Sequence, residues 1–300
     1  MRCLLIDFIK AFDSVDHLTL IVKLKNLNIA DNIIQRVVAF LTDRNQFVKI
    51  GQKWSFTKII NRFIVQGSGI GRTLFIICIT DLKPISSTNN ISKYADDSSL
   101  LVPEKYDVDL SEELWNVLKW AEHKMQVNMT KTKEIVFHRP NARNVLFLSE
   151  LPGIERVLCA KLLGVWLQAD MSMRKHVDYI LHICIQWTYL LTQLKRQGLS
   201  QTQLKCFWSI ILVCVLYASP AWRGYLSAAN IDSLQQLFIK AKRCQIVTDK
   251  YDVSQLFDKD NMALFKSSLN VNHCLRHLYP DKRHHVHSMT FRPRGHNFTS

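Results

Sequence analysis

The chain has 300 residues, of which 48% are hydrophobic, so it is long enough to form one or two domains with sizeable cores. Its 39 basic and 25 acidic residues give a net charge of +14, which favours a polyanionic partner, nucleic acid before a membrane. Eight scattered cysteines without a C-x-x-C pair argue against a disulfide framework, and early acids argue against a secretory signal. We therefore expect an intracellular protein, without choosing between nucleus and cytoplasm.

The first half of the chain alternates short strands with amphipathic helices. Asp residues before apolar periodic segments indicate helix starts, and glycines between apolar runs indicate turns. In chain order, the predicted elements are a strand at residues 3–7, helices capped by Asp16 and Asp31, a hairpin around Gly51, a glycine turn at residues 66–71, a helix at about residues 73–82, a hairpin at residues 91–102 and a helix over residues 110–125.

The second half carries most of the net positive charge, with 19 basic and 9 acidic residues from position 151 onward. We predict strands at residues 133–138, 145–148 and 161–167, and helices from about Met173 that end near Lys195, Tyr217 and Val247. The apolar run at residues 206–222 is at the short limit for a membrane span, and we predict a buried core helix there. The basic, His-rich residues after Tyr279 are expected to be less ordered. The segment HCLRHLYPDKRHHVH, with Cys274 as its single cysteine and no C-x-x-C pair, does not indicate a zinc site.

Two adjacent acids, Asp96 and Asp97, lie between the apolar flanks of the second predicted hairpin. A solvated turn would explain them, but acids at a hairpin tip also offer oxygen ligands to Mg²⁺, which relieves their mutual repulsion. Asp7, at the end of the first strand, supplies a third carboxylate. The sequence therefore predicts that Asp7 and the hairpin tip converge on a metal site suited to phosphoryl transfer.

Five segments in order resemble the motifs of reverse transcriptases from non-LTR, LINE-type retrotransposons. A strand ending in Asp7, the Gln-Gly-Ser segment and the Tyr-Ala-Asp-Asp hairpin are followed by two later palm motifs, and the final segments are similar to jockey-like elements. The quoted segments are LLIDFIKAFDSVDH, VQGSGIGRTLF, YADD, NMTKTKEIVF, KLLGVWL, YASPAW and RGHNFT.

The resemblance implies an α+β fold: a right-hand polymerase palm, with an antiparallel sheet and packed helices, followed by an α-helical thumb. It implies a palm at residues 1–170, a helical thumb-like region at 171–250 and a basic extension at 251–300. It also implies an RNA template, a DNA primer and dNTPs as partners, no membrane, and two Mg²⁺ ions with Mn²⁺ as a substitute. The implied sites are metal ligands Asp7, Asp96 and Asp97, catalytic Lys131, nucleotide-binding Phe12, Gln66, Gly67 and Ser68, and nucleic-acid-binding Gly164, Lys240, Lys242 and Arg243.

Several of these residues have plainer interpretations. Phe12 would equally suit a core, Lys131 a solvated surface, Gly164 an ordinary buried strand, and the Lys240 cluster a solvated helix face. The Gln-Gly-Ser segment would equally suit a plain turn before a helix. We keep both interpretations of each residue.

The sequence departs from the family pattern at Val65, Gly69 and Arg72, where the family has Pro, Val and Pro. Only six residues precede Asp7, so we expect a fragment without the fingers that binds RNA–DNA duplex but extends primers poorly. The leading hypothesis is an RNA-directed DNA polymerase by descent. The alternatives are a catalytically dead nucleic-acid-binding remnant and, third, another metal-dependent phosphoryl-transfer enzyme with a similar palm.

Overall fold

The computed structural model describes residues 1–60, 62–65, 67–105, 107–122, 124–139 and 149–280. It divides into two compact units, Met1–Ser172 and Met173–Ser300. The predicted strand at 145–148, the tail after Tyr279 apart from Pro280, and Gln66 lie outside the described residues. Each unit is described by itself below.

The first unit mixes short strands and helices in the order that the sequence pattern predicts for most of its length. Its elements are β1 (Arg2–Ile6), β2 (Phe8–Ile9), α1 (Ala11–Ser14), α2 (His17–Asn26), α3 (Asp31–Leu41), β3 (Arg44–Gln46), β4 (Lys49–Ile50), β5 (Lys53–Trp54), β6 (Lys58–Ile60), α4 (Gly71–Cys78), β7 (Asn90–Tyr94), β8 (Asp97–Val102), α5 (Leu110–Ala121), β9 (Gln126–Val127), β10 (Lys133–Val136), β11 (Glu155–Arg156), β12 (Cys159–Leu162) and β13 (Val165–Gln168).

A five-stranded sheet with the order β11-β10-β1-β8-β7 organises this unit. The central strand β1 pairs antiparallel with β10 on one side and with β8 on the other, and only β10 and β11 run parallel. Leu4 of β1 lies opposite Leu100 of β8, and both are fully buried. The sheet therefore fixes the end of β1, where Asp7 follows, against the start of β8.

Helices α2, α4 and α5 bury their apolar sides in the same core cluster as β1 and β8. The cap of α2 is the predicted one, because the Asp16 carboxylate accepts hydrogen bonds from the Thr19 backbone N–H at 2.8 Å and from its hydroxyl at 2.9 Å. The bond from the Thr19 backbone is the main cause of the lowered pKa of Asp16. Helix α3 begins at Asp31 itself, with Ala30 as its N-cap and no side-chain cap, so the prediction of Asp31 as a cap is wrong.

The apolar pattern at residues 161–167 predicted a single strand, which is wrong, whereas the family resemblance implied a primer-supporting hairpin at KLLGVWL, and the structure has the hairpin β12–β13 there. The pairing of Leu162 with Val165 leaves Leu163 and Gly164 as a two-residue turn. Both have positive φ, at 46° and 87°. Leucine rarely adopts a positive φ, so Leu163 gave no sequence signal for a turn at this point.

The second unit is helical. Its elements are α6 (Arg174–Arg196), α7 (Gln201–Leu216), α8 (Ser219–Trp222), a 3₁₀ turn (Arg223–Tyr225), α9 (Ala228–Arg243), α10 (Val253–Ser268) and a second 3₁₀ turn (Arg276–Leu278). Two tryptophans lie at its centre: the Trp208 ring packs edge-on against Phe238, and the Trp222 ring packs edge-on against Phe257. Since Phe257 lies on α10, helical packing in this unit extends past Val247, where we predicted the last helix to end.

The helical segment Gln201–Tyr225 contains an 18-residue window with a mean hydropathy of 1.7, so it is long and apolar enough to cross a membrane, judged by length and composition only. Its buried side includes Leu204, Trp208 and Ile211, whereas Phe207 and Val213 are exposed. One side of this helix is buried, but only 28% of the apolar window is buried, so the buried core helix stays a prediction. The absence of a membrane partner stays a prediction.

Candidate active site

Asp7 and Asp97 lie side by side where β1 ends and β8 begins. Ile6 pairs with Ser98 in the antiparallel ladder, so the next position places Asp7 opposite Asp97. The two acids line one cavity of about 310 Å³. The Asp7 backbone is held from both sides, because its N–H donates to the Thr132 hydroxyl at 3.2 Å and its carbonyl accepts from the Asn128 N–H at 2.8 Å.

Asp96 occupies the turn of the β7–β8 hairpin. Tyr94 pairs with Asp97, which leaves Ala95 and Asp96 as a two-residue turn, and Ala95 adopts a positive φ of 52°. Asp96 lines a second cavity, of about 570 Å³, together with Phe12, Gly67 and other residues. Asp96 in the turn and Asp97 at the start of β8 therefore line two different cavities.

Asp7 and Asp96 both act electrostatically on Asp97. The pKa of Asp97 is raised, first by burial and then by the negative charges of Asp96 and Asp7. Within the part of the chain that the structure describes, however, no three His, Cys, Asp or Glu side chains are grouped tightly enough to form a ready metal site. The assignment of Asp7, Asp96 and Asp97 as metal ligands thus stays a prediction.

Phe12 packs against the core and also borders a cavity. Its half-buried ring stacks on Phe75 with centroids 4.6 Å apart and an interplanar angle of 25°, and it packs against the main core. It also lines the 570 Å³ cavity beside Asp96. An aromatic ring fixed in this way can form one wall of a ligand cavity.

The Gln-Gly-Ser segment lines the same cavity through Gly67 and Ser68. Gly67 has a φ of +81°, and the Ser68 hydroxyl donates to the Val65 carbonyl at 2.7 Å. This tight turn also requires Gly71, because a Cβ there would lie 2.7 Å from Ser68 Oγ and 2.9 Å from the Val65 carbonyl oxygen. Sequence analysis did not single out Gly71, although it is the last glycine of the QGSGIG turn.

Lys131 is exposed in the turn between β9 and β10 and lines the 310 Å³ cavity with Asp7 and Asp97. Two further lysines that sequence analysis missed, Lys133 and Lys161, line it as well. Lys133 is ion-paired with Glu155 at 2.5 Å. Three lysines and the acids Asp7, Asp97 and Glu155 therefore line the same cavity, and the alternation of Lys131 and Lys133 at the start of β10 was the available sequence signal.

The remaining predicted residues lie elsewhere. Gly164 forms the turn of the β12–β13 hairpin, and Lys161 and Leu162 of that hairpin line the 310 Å³ cavity, whereas Gly164 is not among its lining residues. Lys240, Lys242 and Arg243 are exposed in the last turn of α9, in the second unit. Cations at a helix C-terminus also interact favourably with the helix dipole, so their position has a structural explanation too.

The sheet is antiparallel except for the β10–β11 pair, and it places Asp7, after the central strand β1, opposite Asp97 at the start of β8. Residues 2–167 match the family model described as reverse transcriptase (RNA-dependent DNA polymerase). The chain belongs to this family. The mixed helix and sheet content of the first unit agrees with a polymerase palm fold.

Individual relatives agree with the predicted jockey-like resemblance, which is confirmed. The chain is 26% identical over 262 residues to "Probable RNA-directed DNA polymerase from transposon BS" of Drosophila melanogaster, covering 81% of this chain and 28% of that protein. It is 23% identical over 261 residues to "RNA-directed DNA polymerase from mobile element jockey" of the same species, covering 79% and 27%. The chain thus spans little more than a quarter of the length of these curated relatives.

Among solved structures, the chain is similar to a telomerase from Candida albicans, determined with a fragment of telomeric RNA. The TM-score is 0.43 and the sequence identity 13%, over 80% of this chain and 47% of the telomerase chain.

Proposed function

We propose that the chain is the palm and thumb part of an RNA-directed DNA polymerase of a mobile element. It would add deoxynucleotides from dNTPs to the 3′ end of a DNA primer on an RNA template, inside the cell. The observation that carries the proposal is the position of Asp7 beside Asp97 at the end of the central strand, in a chain of the reverse transcriptase family. The proposal gives the apolar run Gln201–Tyr225 no membrane role.

The three carboxylates fit a hard divalent cation. Their donors are all carboxylate oxygens, which Mg²⁺ prefers and Mn²⁺ accepts, and burial followed by their mutual repulsion raises the pKa of Asp97. Asp7, Asp96 and Asp97 would hold two such ions. Bound metal would supply an acidified primer 3′-hydroxyl and charge neutralisation at the leaving pyrophosphate.

The surrounding residues would bind and position the reactants. The cavity of about 570 Å³ lined by Phe12, Gly67 and Ser68 would take the incoming nucleotide, with the Phe12 ring beneath its sugar and Gln66 nearby. Lys131 would lie along the phosphates and neutralise or protonate the leaving group. Gly164 would let the primer backbone approach the β12–β13 turn closely.

Primer extension tests the activity directly. We expect Mg²⁺-dependent extension of oligo(dT) on poly(rA) by a form that includes this chain, and a loss of about 100-fold or more on Asp7→Asn or Asp97→Asn, since each removes a metal-binding charge. Glu104→Gln, which removes an exposed loop carboxylate of the same unit, should leave extension unchanged. Extension that survives both aspartate substitutions would overturn the site.

Metal binding gives a second measurement that does not depend on turnover. We expect Mn²⁺, followed by its paramagnetic effect on water relaxation, to bind the parent chain and to bind Asp97→Asn at least tenfold more weakly, because one of few charged ligands is lost. Equal Mn²⁺ affinity in both proteins would remove these acids from the metal site.

The second unit is proposed as the thumb that contacts the template–primer duplex through Lys240, Lys242 and Arg243. Replacing the three by Gln should weaken binding to RNA–DNA duplexes of any sequence and lower the salt slope by about 2 to 3. A matched triple variant at exposed lysines elsewhere, Lys25, Lys105 and Lys259, makes the same change in net charge. Equal effects of the two triple variants would make the cluster an ordinary solvated helix end.

The alternative function, a nucleic-acid-binding remnant without catalysis, keeps one specific observation in its favour. Arg72 stands at the second position of α4, where the family has Pro, and its side chain lines the cavity proposed for the nucleotide. Tight duplex binding without extension, restored to extension by Arg72→Pro, would identify this departure as the cause.

A further inference from the structure

A two-tiered β-ribbon in the first unit has no role in the site described above. We call residues 44–60 the basic–aromatic arm. At its base β3 pairs with β6, with Arg44 opposite Ile60, and at its tip β4 pairs with β5, with Lys49 opposite Trp54. Between the tiers, Val48 and Ser55 join the two sides, since the Ser55 N–H donates to the Val48 carbonyl and the Val48 N–H to the Ser55 hydroxyl, both at 2.8 Å. The arm is thus one continuous hairpin.

The arm exposes large apolar side chains. Trp54 is 57% exposed, Ile59 84% and Phe56 96%, and Phe47, Val48 and Ile50 are exposed as well. Solvated hairpins normally carry polar residues on their free faces, and contiguous exposed apolar surface marks a binding surface. The exposed apolar surface of the arm is therefore suited to binding another molecule.

The charge of the arm indicates what that molecule is. Residues 44–60 contain Arg44, Lys49, Lys53 and Lys58 and no Asp or Glu. Among the residues that the structure describes, none of these three lysines has a carboxylate within ion-pairing distance, whereas Lys23 and Lys124 of the same unit both pair with Asp81. Unpaired cations that alternate with exposed rings are complementary to a polyanion that also has flat apolar faces.

The tip shows how such a polymer would bind. The Lys49 ammonium lies 4.5 Å from the centre of the Trp54 ring, and the Phe47 ring centroid lies 4.9 Å from that of Trp54 at an interplanar angle of 59°. Stacking platforms for single-stranded nucleic acids combine these two features, aromatic rings that stack on bases and cations that follow the phosphates. Bases in a duplex are already stacked on each other and offer no face to such rings.

We infer that the basic–aromatic arm is a binding site for single-stranded nucleic acid, with bases stacked on Trp54 and Phe47 and phosphates on Lys49, Lys53 and Lys58. The inference rests on the proposed function for the choice of polymer, single-stranded RNA of the kind a template supplies. A protein segment that covers the same apolar side chains is the competing occupant. The arm lacks acidic residues, so it favours the phosphate chain, and the test below separates the two.

The test measures binding of the full chain to a fluorescein-labelled single-stranded RNA of about 16 nucleotides by fluorescence anisotropy. We expect the double variant Trp54→Ala with Lys49→Gln to bind about tenfold or more weakly, with a salt slope lowered by about 1. The matched control is Trp115→Ala with Lys119→Gln on α5, where Lys119 Nζ lies 5.0 Å from the centre of a Trp115 ring that is 62% exposed. This control should bind like the parent.

Two further variants keep the test decisive if Trp54→Ala disturbs the hairpin. Trp54→Phe should retain most of the affinity, since it keeps a stacking face, and Lys53→Gln with Lys58→Gln should lower the salt slope by about 2 without touching an aromatic ring. A blunt duplex RNA of the same length should lose far less affinity than the single strand on Trp54→Ala with Lys49→Gln.

Three results would contradict the assignment of the arm. Parent-like single-strand binding by the arm variants, equal losses in arm and control variants, or no single-strand binding by the parent would overturn the inference, and the first of these would favour a protein occupant. These measurements use no turnover, and Asp97→Asn should not change them. Failure of primer extension with intact arm-dependent binding would therefore overturn the proposed function and leave the arm assignment standing.

Discussion

Two hairpins of the first unit have the same turn geometry but differ in their charge, their exposure and their neighbouring strands. The β7–β8 hairpin turns through Ala95 and Asp96, and the β4–β5 hairpin turns through Gly51 and Gln52, each as a two-residue turn whose first residue has a positive φ. The first carries acids and is anchored in the sheet, because β8 also pairs with β1. The second carries cations, and both its strands are exposed.

Both hairpins form through the same kind of turn. They differ in whether a third strand holds the tip in place, and this difference determines which function each tip suits. A hairpin held by a third strand keeps its tip in one position, which a site for phosphoryl transfer needs. A two-stranded ribbon is only marginally stable by itself and can adjust to a flexible ligand. The rigid tip suits the reacting groups, and the adaptable arm suits an irregular single strand.

The largest expected contrast is in the free energy of unfolding, between a buried residue of β8 and an exposed residue of the arm tip. Leu100 of β8 is fully buried opposite Leu4, whereas Ile50 at the arm tip is 77% exposed. We expect Leu100→Ala to lower the free energy of unfolding by about 3 kcal/mol, and Ile50→Ala to change it by less than about 0.5 kcal/mol. Urea denaturation followed by circular dichroism measures both. Similar losses would mean that the arm tip is packed in solution and is not free to bind a ligand.

The parts of the fold that the sequence predicted depend on local signals. The Asp-Asp hairpin, the hairpin around Gly51 and the Asp16 cap each follow from a few neighbouring residues. The start of α10 was equally local, since the Asp252 carboxylate accepts from the Ser254 and Gln255 N–H groups, but its mostly polar pattern hid it.

The features that the sequence did not predict depend on distant partners. The clamp on the Asp7 backbone comes from Asn128 and Thr132, more than 100 residues away. The sequence predicted the hairpin around Gly51 but not its exposure: Phe47 and Trp54 are exposed, and among the described elements no third strand pairs with β4–β5. A strand pattern states which side chains share a face but not whether another strand covers it.

The second largest expected effect on the free energy of unfolding concerns lysines that are ion-paired, unlike those of the arm. Asp81 accepts from Lys23 Nζ at 2.6 Å, Lys124 Nζ at 2.7 Å and Trp120 Nε1 at 3.0 Å. Partial burial alone would raise the pKa of Asp81, but these hydrogen bonds outweigh it and hold that pKa well below its usual range. Because the site is partly open to water, we expect Asp81→Asn to cost about 1 kcal/mol at pH 7.

The pH dependence of that loss has a defined sign. A carboxylate whose pKa is lower in the folded state stabilises the protein above the unfolded value near 4, and this contribution fades as the pH falls below it. The difference in unfolding free energy between the parent and Asp81→Asn should therefore shrink as the pH falls below about 4. Lys53→Gln in the arm should show no such dependence. A constant difference down to pH 2 would mean that the ion pairs are not the cause.

The smallest expected effect concerns the first residue of each turn. Ala95 has a φ of 52° and Gly51 a φ of 59°, and a left-handed conformation costs an L-residue about 1 kcal/mol that glycine avoids. A Cβ at Gly51 would meet no atom within 4 Å, so Gly51→Ala tests the backbone conformation without a clash. After allowance for the greater freedom of unfolded glycine, Ala95→Gly should gain about 0.5 kcal/mol and Gly51→Ala should lose about as much. Chemical denaturation of the two variants against the parent measures both signs. A loss for Gly51→Ala without a gain for Ala95→Gly would mean that Ala95 leaves this conformation in solution, and Asp96 would then not be held by its turn.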